Sequence, residues 1–183
     1  MLTMASTLIL VNGLPGSGKS ALSRRLGQAM QLPVISKDEL KEFLADAAGG
    51  TVAGGRLGQM ASETMWQLAA AIQGTALVES WWYRPRDLEH ARRGIALSGT
   101  PGVVEIWCDV DPATARERYN NRARHEVHAM DPATAAATWA DWAERGAPLG
   151  LGPTLTVGTA APVDLDALLD ALSAALETLD ATT

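Results

Sequence analysis

Cysteine is almost absent from this chain. The single thiol, Cys108, has no partner for an intramolecular disulfide, and its apolar setting after Ile106-Trp107 reads as a buried structural residue in a reducing compartment. Long hydrophobic runs are missing too: Leu8–Val11 stops at Asn12, and the residues before it lack the basic cluster of a secretion signal. These absences predict a cytoplasmic protein with no membrane partner. Lysine is scarce, three residues against twelve arginines, and acidic side chains leave a net charge of −6. Such a balance argues against general affinity for nucleic acid and points to a small-molecule partner. His125 and His128 lack the spacing of a metal site and read as exposed, and no internal repeat is present.

What is present is a globular composition, 47% apolar and 20% charged over 183 residues, enough for one domain with a full core. Its most informative stretch is Gly13-Leu14-Pro15-Gly16-Ser17-Gly18-Lys19-Ser20. The pattern G-x-x-x-x-G-K-S lets the backbone curl so that several N–H groups point at a polyphosphate. Gly13, Pro15, Gly16, Ser17 and Gly18 would form that cradle; Lys19 would reach the β- and γ-phosphates, Ser20 would hold Mg²⁺, and Ala21 would continue the helix whose positive end favours the anion.

Hydrophobic patterning places strands at about 7–11, 34–36, 76–79, 103–108 and 154–157, with helices at about 19–30, 38–48, 57–73, 85–98, 112–121, 133–144 and from Asp164 onward. On the helix at 38–48, Leu40 and Phe43 or Leu44 should face the core; on the next, Leu57, Met60 or Ala61, Thr64 or Met65, Leu68 and Ile72 share one face. The paired glycines between Gly49 and Gly55 mark a break. Strands alternating with helices predict a doubly wound parallel α/β sheet, with ligands at the carboxyl ends of the strands. Ser20, Asp38, Glu79 and Asp109 all fall just past such ends.

Gly13–Ser20, the segment Ile35-Ser36-Lys37-Asp38-Glu39-Leu40-Lys41, Glu79, the Arg118–Arg122–His125 region and the fifth strand leading to Thr159 and Asp164 together resemble the small P-loop kinases of the AAA_33 and chloramphenicol phosphotransferase-like group. The resemblance spans nearly the whole chain. It implies a P-loop NTPase fold with sheet order 2-3-1-4-5, a single domain over 1–183 and a helical lid at about 116–150. It also implies transfer of the γ-phosphoryl group of ATP or GTP, with Mg²⁺, to a hydroxyl of a small molecule, such as an antibiotic inactivated for self-resistance. A kinase of a nucleic-acid end or sugar nucleotide, and a non-catalytic nucleotide switch, are the rival readings.

Asp38 follows the second strand, and in the resembled kinases the corresponding aspartate faces the acceptor, which makes it the candidate base; it also stands where a helix N-cap would. Glu79 is placed to hold Mg²⁺ or the acceptor, with Asp109 as the competing metal acid, while Asp111 reads as a cap. Arg118 and Arg122, one helical turn apart, with Arg124 nearby, are candidates to neutralise the triphosphate. Thr159 lies where the donor nucleobase would sit in such kinases. The adjacent Trp81, Trp82 and Tyr83 cannot all face one core, so at least one is expected to line a cleft for a cyclic acceptor, and Arg84 or Arg86 is placed to bind an acidic group.

Overall fold

The computed structural model describes residues 5–99 and 102–181. Five strands, β1 (Ala5–Asn12), β2 (Val34–Ser36), β3 (Gly74–Glu79), β4 (Gly102–Asp109) and β5 (Thr154–Gly158), form one parallel sheet in the order β2-β3-β1-β4-β5. The expected fold class and strand order are both present. Leu8, Ile9, Leu10 and Val11 of β1 are fully buried because both faces of this central strand are covered. β5, at one edge, alternates between exposed and half-buried residues.

Among the described residues seven helices surround the sheet: α1 (Lys19–Met30), α2 (Lys37–Ala48), α3 (Gly54–Ala71), α4 (Arg84–Leu97), α5 (Pro112–Asn121), α6 (Pro132–Arg145) and α7 (Leu165–Asp180). One face of the sheet packs Ile9, Val11 and Leu77 against Leu22 and Leu26 of α1 and Leu168 and Leu172 of α7. The other packs Leu8, Leu10 and Val78 against Met65 and Trp66 of α3 and Ala91 and Ile95 of α4. Each such large apolar side chain removed from water contributes about 1.5–3 kcal/mol. The Gly49–Gly55 break is real but shorter than expected, since α3 already begins at Gly54. Of the pair Phe43 or Leu44, Phe43 lies outside the core at 70% exposed while Leu44 is half-buried, and Leu68, also expected inward, is 43% exposed; Leu40 of α2 packs against the core, and Met65, Trp66 and Ala69 are the α3 residues buried in it.

A third cluster joins Leu14, Val110, Ala115 and Trp139 beneath Trp81, Tyr119 and Trp142. It seats α5 and α6 over the carboxyl ends of the strands. Between these helices, residues 122–131 run as a strap with a short 3-10 turn at Glu126–His128. This strap is fastened to α2: the Lys41 ammonium donates to the Val127 carbonyl at 2.9 Å, His125 Nε2 meets Asp46 at 3.0 Å, and His128 Nε2 meets Glu42 at 3.1 Å. His128 is therefore not the exposed residue expected from sequence; its side chain is 9% exposed, with burial lowering its affinity for a proton.

Candidate active site

The turn after β1 is built from backbone demands. Ser17 N–H donates to the Leu14 carbonyl at 3.0 Å, and Gly18, at φ 91°, opens α1 in a left-handed conformation. Gly16, at φ 84°, presses against α5, where an added Cβ would lie 2.1 Å from the Ala115 carbonyl oxygen. Gly16→Ala should thus strain the loop and displace α5 together, costing at least about 1 kcal/mol of stability and weakening nucleotide binding. Denaturant midpoints and nucleotide titration check this; an unshifted midpoint would contradict the close approach.

Pro15, Gly16, Gly18, Lys19, Ser20 and Ala21 line a cleft of about 700 Å³ at the carboxyl ends of the strands. Gly13 and Ser17 shape the loop from behind. Both are buried, and a side chain at residue 13 would meet the Cys108 carbonyl and the Ser17 hydroxyl at 2.7 Å. The Ser17 hydroxyl itself is buried without a partner among the described residues. The Lys19 ammonium, 7% exposed, donates to the Leu14 carbonyl at 3.0 Å and so lies folded along the loop. Cys108, under this loop, has its thiol pushed up to about 12 by burial, as its structural reading requires.

Ser20 Oγ lies 3.4 Å from Glu79 Oε1, and Ser36 Oγ donates to Glu79 Oε2 at 2.8 Å. Glu79 is 2% exposed. Asp109 is exposed and away from the cleft, and only its backbone carbonyl is used, accepting from Thr159 N and Oγ1. Of the two competing acids, geometry therefore brings Glu79 to the loop serine. Burial holds the Glu79 carboxyl above the ordinary range, against the pull of Lys19 and the bonds from Ser36 and Ser20. The folded state then binds this proton more tightly than the unfolded one, so ligand-free stability should fall as pH rises from the ordinary carboxylate range toward the raised value. Glu79→Gln should flatten that slope and raise the melting temperature at neutral pH. Melts of both proteins between acid and neutral pH test this, and identical slopes would refute it.

Asp38 lines the cleft from the first turn of α2. The cap of that helix is Ser36, whose hydroxyl accepts from Glu39 N, so the alternative role for Asp38 as a cap is filled by another residue. Its carboxylate makes no hydrogen bond or ion pair among the described residues, and its field acts on Glu79, Lys37, Lys41 and His128. Asp111 is a helix cap as expected, its Oδ1 accepting from Ala113 and Thr114.

Arg118 and Arg122 both reach the cleft. Arg118 is held by two 2.9 Å bonds, to the carbonyls of Thr159 and Ala160. Thr159 is buried, spends its N–H and hydroxyl on Asp109, and does not line the cleft; what it does is aim Arg118. Arg124 lies 4.0 Å over the Tyr119 ring.

The aromatic run divides. Trp81 lines the cleft, edge-on to Trp142 with centroids 5.8 Å apart. Trp82, expected with it, instead enters the core, where it is 2% exposed and stacks on Trp66 at 6.1 Å. Tyr83 is also withdrawn, its hydroxyl donating to Asp141 at 2.5 Å. Arg84 turns away to donate to the Leu149 carbonyl, whereas Arg86 lines the cleft. The sorting is done by Asn12, whose side chain accepts from Trp82 N at 3.1 Å and donates to Trp82 O and Glu105. Glu105, fully buried, also accepts from Leu149 and Gly150 N–H. Sequence reasoning passed over this clamp; its signal was one charged residue inside the apolar run Val103–Cys108.

No helix of the described residues is long and apolar enough to cross a membrane, and no cluster of metal-ligating side chains occurs among them. A glycine loop opening a helix, a basic cleft and a free carboxylate at the strand ends define a P-loop phosphotransferase. The chain belongs to the AAA_33 family of AAA domains, whose model matches residues 8–148. It is 29% identical over 133 residues to a shikimate kinase of Corynebacterium glutamicum, covering 71% of this chain and 75% of that one. A protein from Chloroflexus aurantiacus, provisionally described as a kinase, superposes with a TM-score of 0.79 at 30% identity, over 94% of this chain and 98% of that one. A gluconokinase of Sinorhizobium meliloti shares the fold, with a TM-score of 0.62 at 17% identity over 98% and 97% of the two chains. With these relatives, the chain is a small-molecule kinase.

Proposed function

We propose that this chain moves the γ-phosphoryl group of ATP or GTP to a hydroxyl of a small molecule. The observation that supports it most is that Asp38, which has no hydrogen bond or ion pair among the described residues, shares one cleft with Lys19, Ser20, Arg118 and Arg122. The loop N–H groups and Lys19 hold the phosphates, and Arg118 and Arg122 neutralise charge as it develops. Asp38 takes the acceptor's hydroxyl proton while the new O–P bond forms and the bond to the β-phosphate oxygen breaks, releasing the nucleoside diphosphate. Ser20 and Glu79, 3.4 Å apart, are suited to hold Mg²⁺, which when bound neutralises phosphate charge. The strap 122–131 with α5 and α6 serves as a lid that excludes water.

The resemblance to chloramphenicol phosphotransferases places antibiotics among the acceptors to be tried, and the lone, inert thiol suits the cytoplasm. Mass spectrometry of hydroxyl-bearing compounds, antibiotics and nucleosides included, after incubation with protein, Mg²⁺ and ATP or GTP tests the reading. A product heavier by one phosphoryl group is expected. Nucleotide binding without any such product would overturn it.

A further inference from the structure

Resting on that kinase reading, we infer that the acceptor carries an acidic group, a carboxylate or a phosphate, seated between Lys37 and Arg86 while its reacting hydroxyl faces Asp38. The cleft concentrates positive charge in an acidic protein: all three lysines and five of the twelve arginines line it, against Asp38 and Glu79. The nucleotide accounts for only part of this. Lys19, Arg118 and Arg122 belong to the triphosphate end, and Arg24 pairs with Glu39 at 2.8 Å.

Four cations remain: Arg124 is laid over the Tyr119 ring, while Lys37, Lys41 and Arg86 stand on the α2 and α4 side of the cleft. Lys41 is tied to the strap by its bond to the Val127 carbonyl. Arg86 is aimed by a two-point contact, Nε and Nη2 both 2.7 Å from Asp87, which also accepts from Tyr83 N. Lys37 has no hydrogen bond or ion pair among the described residues, yet it is largely withdrawn from water, with burial lowering its affinity for a proton. The charges acting on it are Asp87 and Asp38 on one side and Arg86 and Lys41 on the other, so the nearby carboxylates do not outnumber the cations. Glu42 is bonded to His128. An ammonium held in this way is costly unless an anion arrives to pair with it. Trp81 and Trp142 supply an apolar wall beside it, suited to the carbon frame of a compact organic anion.

The test uses the full-length protein with Mg²⁺ and a non-hydrolysable ATP analogue for binding, and with ATP for turnover. The probes are hydroxylated cyclic carboxylic acids, each paired with its methyl ester, and phosphorylated hydroxyl compounds, each paired with its unphosphorylated parent. Calorimetry should show the anionic member of at least one pair binding about tenfold or more tightly than its neutral partner, the usual effect of one charge-assisted hydrogen bond. Which set responds tells carboxylate from phosphate. Lys37→Met should erase that preference and leave the affinity for the ATP analogue unchanged, with Lys37→Arg restoring part of it. Ligand-free Lys37→Met should melt no lower than the parent, which separates a lost anion contact from a failure to fold. Phosphorylated product formed as readily from neutral as from anionic partners, or an anion preference that survives Lys37→Met, overturns the inference and leaves the kinase reading standing. Anion binding without phosphorylated product in any pair overturns the kinase reading instead.

Discussion

Lys19→Ala should abolish phosphoryl transfer, with a loss on the order of 10³-fold or more in kcat, the range seen when a charged group that neutralises a transferring phosphoryl is removed. The argument starts from the environment of the ammonium. Lys19 is the first residue of α1 and is 7% exposed, so its charge acts in a medium that screens it far less than water does. Its hydrogen bond among the described residues goes to the Leu14 carbonyl of the loop itself, a bond that it can exchange for phosphate oxygens. Lys19→Arg should not rescue transfer, because a planar fork needs more room than a narrow glycine loop provides. Product analysis by mass spectrometry with matched thermal melts separates lost chemistry from lost folding. A folded Lys19→Ala protein that still transfers at the parent rate would refute the phosphate role of the loop.

Asp38→Asn should cut turnover by roughly 10²-fold or more, as removal of a general base does, with nucleotide affinity near that of the parent. The carboxamide keeps the shape of the side chain but cannot take the acceptor's proton. Stability distinguishes this from capping. The hydroxyl that meets the Glu39 N–H belongs to Ser36, so Ser36→Ala should lose about 1 kcal/mol and Asp38→Asn should lose little. Ser36 also donates to Glu79, and its removal leaves that buried carboxylate short of a partner. Steady-state kinetics together with denaturant midpoints of the two variants give the answer. Full turnover in Asp38→Asn would return this residue to an ordinary position in the first turn of a helix.

The reading of Trp81, Trp82, Tyr83 and Arg84 shows where local sequence stops being informative. Three aromatics in succession establish that one must point away from the core, but not which one. The choice is made by Asn12, seventy positions earlier, which grips both backbone groups of Trp82 and turns that ring onto Trp66 of α3. Trp81 is left lining the cleft, edge-on to Trp142. The same distance in sequence hides the fastening of the strap to α2, since nothing near His128 announces Glu42.

The sequence by itself determined the phosphate loop, the parallel sheet and the acids at its strand ends. Glycine spacing, unbroken apolar strands and the 3.6-residue period of the helices are each imposed by backbone geometry within a few residues. Only the tertiary structure decided that Glu79 and not Asp109 meets Ser20, that Thr159 serves to aim Arg118, and that Lys37, in the field of Arg86, has no hydrogen bond or ion pair among the described residues. Those relations depend on which side chains from distant elements share one enclosed space, where charge, burial and hydrogen bonding are settled by close packing rather than by position along the chain.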